Sequence, residues 1–478
     1  MGMEERTIEG TNNGSRARGR CPRANQPEEK GKHYVKQSEQ KGCESSGNRS
    51  IVPLNVWAKN PGASEALVWR ADTVRIVSQE QEGKLLEIAS ACARLMELED
   101  ERRKELYEKT GRIDCGVMDA YRNAEYAEHK RILGSRNFDE VLRLVSERWK
   151  SFRELLEERR RGELPAWLDP QPPKSVKRPI IVVRFDNYRV DAQSKTIKLG
   201  YYNIALKFKG ELRWWPRRIQ QGRLVIVYDE IEETWYAHIA SEVRIKREVP
   251  RARAKCGIDL GQVHLIAAAT EGGVALLYRG SVLKSEYHYH KRLMAQIDGA
   301  AKYADFDTAV WLEKRRWLAR RFKRRRAELI KNAAAHFAKL ACALGVSEVY
   351  IGYPRYLSQD KPSENNAAWP YRKIVQEIAC VAENFGIAVY AVPEDGTSKT
   401  CAYHGCKVVR EPRGLVRCPR GHTMHADVNA ALNVLKRGGG KVPERVKVLS
   451  FVPTPSGVIE RKRRRREKGP YSPAPKAG

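Results

Sequence analysis

Four side chains between residues 401 and 422 have the types and spacing of a metal site. Cys401 and His404 are spaced C-x2-H, Cys418 and His422 are spaced C-x3-H, and a short basic loop joins the two pairs. Two close pairs of thiolate and imidazole donors fit tetrahedral zinc. Cys406 competes with His404, because C-x4-C from Cys401 is also usable and thiolate is a good zinc ligand; His425 is a weaker competitor. A few residues later Asp427 stands where an apolar helix begins, in ADVNAALNVLK. An aspartate there can simply cap the helix. Behind a metal knuckle it also reads as a carboxylate held in place, and held carboxylates grip the Mg²⁺ ions of phosphodiester chemistry. The second such candidate is Asp259 in KCGIDLG, which ends an apolar strand and precedes Leu260 and Gly261. A GIDLG-like strand also opens the phosphate loop of actin-like and sugar kinases. No second Gly-rich loop or adenosine motif follows downstream, so a kinase is the remote alternative.

Composition names a partner. The chain has 478 residues, 89 Lys plus Arg against 59 Asp plus Glu, and a formal charge of +30. That excess favours a polyanion, and nucleic acid is the usual one. The charge is also concentrated. In WLEKRRWLARRFKRRR, Trp311–Arg326, the residues Trp311, Leu318 and Phe322, with Leu329 beyond, form one apolar stripe, and Glu313 is the single acid among Lys and Arg. Arg315, Arg316, Arg320, Arg321, Lys323, Arg324 and Arg325 are therefore candidate nucleic-acid contacts, tracking phosphates with a salt-sensitive contribution. Trp214, Trp215, Arg217 and Arg218 form an aromatic–basic cluster that either stacks on nucleotides or divides into core and solvated surface. No apolar run spans a bilayer and the N-terminus lacks a signal-peptide pattern, so an intracellular, cytoplasmic protein without membrane contact is expected.

The elements that must position these residues follow from periodicity. Residues 1–50 are polar and read as disordered. DTVRIVS, Asp72–Ser78, alternates like a strand; Leu85, Ile88, Cys92 and Leu95 recur at helical spacing. Phe138, Val141, Leu142, Val145, Trp149, Phe152 and Leu156 make a second helical stripe. From residue 179 to 246 short strands alternate with turns, as in a small antiparallel barrel. Beyond residue 254 three strands (KCGIDLG, HLIAAAT, VALLYRG) precede a helix from about Thr308 to Leu344. The strand EVYIGYP, a helix from Tyr371 to Asn384, the strand IAVYAVP, the metal segment and a last helix complete the series. A meander followed by alternating helix and strand is the element order of an RNase H-like fold. The remaining Arg437–Gly478 carries twelve basic residues against three acidic, including ERKRRRREK, and reads as a flexible basic tail.

Together GIDLG and TSKTC…CPRGH…ADVNAALN, in that order and spacing, resemble the TnpB (OrfB) family of insertion-sequence proteins, relatives of type V CRISPR effectors; YIGYP…WPYRKI looks like archaeal members. The resemblance covers about residues 72–436. It implies a multidomain α+β chain with the following parts. After the N-terminus 1–50, residues 51–78 and 174–250 form a split β-barrel wedge domain, and residues 79–173 are a helical recognition insertion. Residues 251–395 form a RuvC-like nuclease carrying the basic helix 308–344. The zinc ribbon (396–424), the final RuvC helix (425–436) and the tail 437–478 complete the chain. It further implies RNA-guided cleavage of DNA, with guide RNA and target DNA as partners, catalytic Mg²⁺ and structural Zn²⁺, and Asp259 and Asp427 as the first and third catalytic carboxylates. The family's middle glutamate falls at Gly352. Glu348, four residues back on the same strand face, is about 13 Å away at about 3.3 Å per residue and cannot substitute. Glu394, ending the neighbouring strand with the same polarity, can, with Asp395 as the fallback. The expected site is Asp259, Glu394 and Asp427; the alternative is an inactive guide-directed DNA-binding protein.

Overall fold

The computed structural model describes residues 51–78, 80–161, 170–174, 179–230, 232–248, 253–303, 307–353, 369–394, 396–412 and 414–461. The polar segment 1–50, Asp395 and residues 462–478 of the basic tail lie outside the described residues.

The chain enters through a short strand β1 (Val52–Pro53) and helix α1 (Val56–Lys59), then the long strand β2 (Glu65–Ile76). Four helices follow, α2 (Glu82–Thr110), α3 (Met118–Arg122), α4 (Ala127–Leu133) and α5 (Ser135–Arg160). Six strands then run in succession: β3 (Ile180–Val183), β4 (Tyr188–Asp191), β5 (Thr196–Leu199), β6 (Ile204–Lys209), β7 (Arg218–Asp229) and β8 (Thr234–Lys246). With β2 they form an antiparallel sheet in the order β3-β7-β8-β2-β6-β5-β4. Its far edge curls back on β7: the Tyr188 hydroxyl donates to Gly222 O at 2.9 Å and the Gln221 amide donates to Tyr188 O at 2.9 Å. The inserted helices share its core. Leu85, Ile88, Cys92 and Leu95 of α2 and Phe138, Val141, Leu142, Val145 and Trp149 of α5 are buried with Ile181, Leu224 and Ile239 of the strands. Each apolar stripe covers one face of the barrel-like sheet, which is why the helices fold as an insertion rather than a separate bundle.

The second half begins with the meander β9 (Ala254–Asp259), β10 (His264–Thr270) and β11 (Val274–Arg279), followed by α6 (Ser281–Tyr303) and α7 (Thr308–Ala343). Next come β12 (Val346–Tyr353), α8 (Tyr371–Glu383), β13 (Ala388–Pro393), the small hairpin β14 (Leu415–Arg417) and β15 (Thr423–His425), then α9 (Ala426–Arg437). The eight-stranded sheet has the order β1-β13-β12-β9-β10-β11-β16-β17, where β16 is Lys447–Thr454 and β17 is Gly457–Glu460. β12 runs parallel to both β9 and β13, so three strands end at the same edge. Both faces are covered. Leu265, Ile266 and Ala268 of β10 pack with α7 and α8, while Ala267 and Ala269 pack with α9.

Several expectations need correction. Residues 52–55 are tied to this second sheet, not to the barrel: Val52 and Pro53 pair with β13, and Asn55 donates to Ile387 O at 2.9 Å and accepts from Val389 N at 3.1 Å. The tail reading fails for residues 447–460, because β16 pairs in parallel with β11 and Phe451 stacks on Tyr278 at 5.0 Å. The polycationic run dominates the composition there and hides the apolar KVLSFV and the PSG turn before it. Helix α6 is not marked by the sequence.

Candidate functional site

Asp259 is the last residue of β9 and pairs with Ala267 of β10. In the parallel register Ile258 faces Ile351 and Gly352 faces Val392, so Asp259, Gly352 and Val392 fall in one row at the sheet edge. Glu394 follows two residues beyond Val392. A Cβ added to Gly352 would stand 3.4 Å from the Glu394 Cβ and 3.0 Å from Val434 Cγ2. The structure thus puts the Glu394 side chain beside the space a residue-352 side chain would enter. Glu348 is elsewhere, accepting from the Tyr350 hydroxyl at 2.8 Å and lying 3.6 Å from the Lys255 ammonium.

Asp427 arrives from the other face, in the first turn of α9. That helix lies hard against β9. A Cβ on Gly257 would sit 2.3 Å from both Ala431 O and Leu435 N, so glycine is required for the backbones to meet. The helix is also tied to the chain entering the Cys/His segment. Asn429, fully buried, accepts from Ala402 N at 2.9 Å and donates to Thr400 O at 2.8 Å; Asn433 donates to Thr397 O at 2.8 Å. The two asparagines of ADVNAALN are therefore structural stitches.

Electrostatics join the two aspartates. Burial, reinforced by the charge of Asp427 and eased by Arg410, pushes Asp259 up to about 7. Burial also acts on Asp427, but the hydrogen bond and charge of His264, with His425 and Arg410, outweigh it and hold this carboxyl below its ordinary value. Tyr371, at the start of α8, is pushed up to about 12 by burial and then by the charges of Glu394 and Asp259, so its hydroxyl shares the neighbourhood of both carboxylates.

Sequence reading missed His264, Tyr371 and Arg410. His264, buried on β10, has Nδ1 2.7 Å from Asp427 Oδ2. A polar residue opening an otherwise apolar strand, HLIAAAT, was its only signal. His425 was weighed as a zinc competitor and belongs instead to the carboxylate site: its Nδ1 caps α9 by accepting from Asp427 N at 3.2 Å, and its ring meets His264 edge-on at 5.0 Å.

The Cys/His residues converge separately. One donor atom each from Cys401, His404 and Cys418 lies within 4.8 Å of the others. His422 Nδ1 is 3.9 Å from Cys401 Sγ, and its ring stacks on His404 at 4.5 Å. Cys406 Sγ is 3.2 Å from Cys418 Sγ, so the competitor is within the same cluster. Burial pushes the Cys418 thiol up, but hydrogen bonds from His404, Arg420 N–H and the neighbouring thiols bring it down to about 6.

The basic helix α7 differs from its sequence reading. Its counter-charges exist, supplied by other elements. Arg315 pairs with Asp298 and Arg325 with Glu286 at 2.7 Å, both acids on α6. Arg316, Arg320 and Arg324 pair with Glu230, Asp229 and Glu232 around the β7–β8 turn. Arg321 lies 5.3 Å over the exposed Trp317 ring, and Lys323 is exposed. Of the aromatic–basic cluster, Trp215 is core, whereas Trp214 is half-buried under Arg213 at 4.5 Å.

The fold is thus a mixed helix–sheet protein with a barrel-like sheet, a second sheet carrying an acidic edge, and a Cys/His cluster beside it. Residues 238–357 match the family model OrfB_IS605, described as a probable transposase, and residues 371–434 match the Cas12f1-like TNB domain. A TnpB-like protein of Acidianus two-tailed virus is 35% identical over 419 residues, covering 80% of this chain and 90% of that protein. The chain belongs to the TnpB-like family. Solved structures are more distant. A Cas12f1–sgRNA–target DNA complex is similar at 14% identity and TM-score 0.46, covering 77% of this chain and 98% of the other. The mini-RNA-guided endonuclease Cas_phi3 is similar at 11% identity and TM-score 0.39, covering 80% and 94%. Among the described residues no helix is long and apolar enough to cross a membrane.

Proposed function

We propose that this protein is an RNA-guided DNA endonuclease whose RuvC-like site consists of Asp259, Glu394 and Asp427. The sheet order β11-β10-β9-β12-β13, an antiparallel meander followed by two parallel strands, supports an RNase H-like domain. The observation that carries the reading is the 3.4 Å separation between the Glu394 Cβ and the point a Gly352 Cβ would occupy. It supports a middle carboxylate relocated by one strand rather than lost.

The donor set fits Mg²⁺: carboxylate oxygens are its preferred protein ligands. Asp259 is half-buried and feels the charge of Asp427, a repulsion that a bound dication would relieve. Bound Mg²⁺ would supply water activation and charge stabilisation at the scissile phosphate. The chain's own part is positional. Gly257 lets α9 bring Asp427 against β9, His264 orients one Asp427 oxygen, and the ends of β9 and β13 direct Asp259 and Glu394 to the same edge. The Cys/His cluster fits structural Zn²⁺, with Cys401, His404, Cys418 and His422 as ligands and Cys406 able to replace one. Guide RNA and target DNA are the proposed partners of the +30 charge.

Plasmid cleavage with the cognate guide tests the proposal. Wild type should cut, and Asp259→Ala and Glu394→Ala should not. Normal cutting by Glu394→Ala would refute the relocated acid. Target binding without cutting by the wild type in both Mg²⁺ and Mn²⁺ would instead mark a guide-directed DNA-binding protein.

A further inference from the structure

The Asp427 side of the site carries two imidazoles that phosphodiester hydrolysis by three carboxylates does not require. One donor atom from each of His264, His425 and Asp427 lies within 4.8 Å of the others. His264 is only 7% exposed and approaches from β10, while His425 and Asp427 flank the start of α9. We infer that His264, His425 and Asp427 form a mixed imidazole–carboxylate site that takes a first-row transition-metal dication in preference to Mg²⁺. The inference shares Asp427 with the nuclease reading and deepens it, but it concerns metal binding and does not need cleavage to be true.

The geometry argues for shared ligation. His264 Nδ1 and Asp427 Oδ2 are 2.7 Å apart, facing each other. Two neighbouring ligand atoms, each about 2.1 Å from one ion, stand roughly 3 Å apart. An ion held by both atoms lies off the line that joins them, so ligation keeps their separation and requires each side chain to turn its lone pair toward a common point. His425 is the weaker of the two imidazoles, because its Nδ1 already caps α9 at 3.2 Å and ligation through that atom gives up the cap. His264 is thus the residue that sets the preference. Imidazole nitrogen suits transition metals, whereas Mg²⁺ favours oxygen and keeps its waters. The remaining oxygen donors, from Asp259 and Glu394, complete a set in which one ion sees nitrogen and the other need not.

The test uses the full chain carrying its zinc, with Mn²⁺ as the probe. Free Mn²⁺ is followed by electron paramagnetic resonance, with and without competing Mg²⁺, and spin-echo modulation reads directly bonded nitrogen. Mn²⁺ should bind at least about tenfold more tightly than Mg²⁺ and show a nitrogen coupling. His264→Asn, which keeps a polar group facing Asp427, should lose that coupling and weaken Mn²⁺ by on the order of 10–100-fold. Mg²⁺, which gains no nitrogen ligand, should weaken by less, so the ratio of Mn²⁺ to Mg²⁺ affinity should fall by at least about threefold. His425→Asn, which keeps an N-cap acceptor, should have the smaller effect. No nitrogen coupling in the wild type, or equal Mn²⁺ and Mg²⁺ affinities, overturns the inference; the wild-type measurement decides even where a variant loses its zinc or its fold. Nitrogen-ligated Mn²⁺ in a chain that never cuts guided DNA would sustain this inference and sink the nuclease reading. Guided cutting by a chain whose Mn²⁺ sees only oxygen would do the opposite.

Discussion

Replacing Asp259 by asparagine should stabilise the chain in the absence of divalent metal. Burial and the Asp427 charge push this carboxyl from its ordinary 3.8 up to about 7. The folded chain therefore holds the proton more tightly than the unfolded chain does. Between about pH 4 and about pH 7 the folded state carries more protons, so stability falls as pH rises through that window. Below it the group is protonated in both states and contributes nothing; above it the full cost is present. About three pH units at about 1.4 kcal/mol each bring that cost to on the order of 4 kcal/mol, and relaxation around the site reduces it to roughly 2–4. Asp427 acts in a different range. Its carboxyl is held low, so its contribution is present above its ordinary pKa and lost only as pH falls through the lower folded value.

The assay is hydrogen exchange of the β9 and β10 amides, corrected for intrinsic rates, in zinc-loaded, magnesium-free chain between pH 6 and pH 8. Local opening energies from these strands avoid the assumption that the whole chain unfolds in one step. Asp259→Asn should be the more protected, and its lead over wild type should widen by about 1 kcal/mol from pH 6 to pH 8, as the last part of the titration completes. Added Mg²⁺ should narrow the gap, because it binds the folded wild type. An asparagine variant no more stable than wild type at pH 8, or a lead that does not change with pH, would refute the claim that Asp259 is held, half-buried, beside a second negative charge.

Three further outcomes follow from the geometry. In a Glu394→Ala background, which should lose guided cleavage by at least about a hundredfold, adding Gly352→Glu should restore measurable cutting, because a residue-352 Cβ stands 3.4 Å from that of Glu394 and meets its tightest contact at Val434 Cγ2, 3.0 Å away. Zinc removal should abolish cleavage until zinc itself is returned, Mg²⁺ alone failing, because β15 runs without a break into α9 and its Asp427; metal analysis should find one zinc per chain, lost in Cys401→Ser and Cys418→Ser. Arg321→Ala and Lys323→Ala should each lower the salt dependence of nucleic-acid binding without changing stability, measured by binding titrations at several salt concentrations, whereas Arg325→Ala, which breaks the two bonds to Glu286 at 2.7 and 3.0 Å, should lower the melting temperature.

What the sequence discloses depends on whether the information is local. Asp259 and Asp427 stand out because a strand end and a helix start are marked by their immediate neighbours. Glu394 can be singled out because parallel strands share a polarity, so their ends share an edge. His264 could not be, since its partner lies 163 residues away. Helix α6 escapes for a different reason: its Leu283 is the only fully buried residue in its first ten, so it shows little periodicity. The surplus charge of α7 misled because a helix's own sequence does not contain the acids of the β7–β8 turn. At the C-terminus an arginine-rich run outweighed five residues, Lys447 to Phe451, that pair with β11.

In the proposed site, a middle acid at Glu394 is controlled differently from one at the Gly352 position. A side chain at residue 352 would project from a central strand, flanked on both sides by β9 and β13, and its position would depend on the sheet alone. Glu394 lies one residue past its strand, on the segment that leads into the Cys/His cluster. Its carbonyl accepts from Thr397 N at 3.1 Å and from the Thr397 hydroxyl at 2.9 Å, and Thr397 O accepts from Asn433 of α9 at 2.8 Å. Asp427 opens that same helix. Two of the three carboxylates are thereby fixed to one unit, the cluster with its entry turn and exit helix, while Asp259 alone belongs to the sheet. Zinc bound at the cluster would consequently set the spacing between Asp259 and both other acids, so its loss should weaken divalent-metal binding by more than the removal of Asp427 alone.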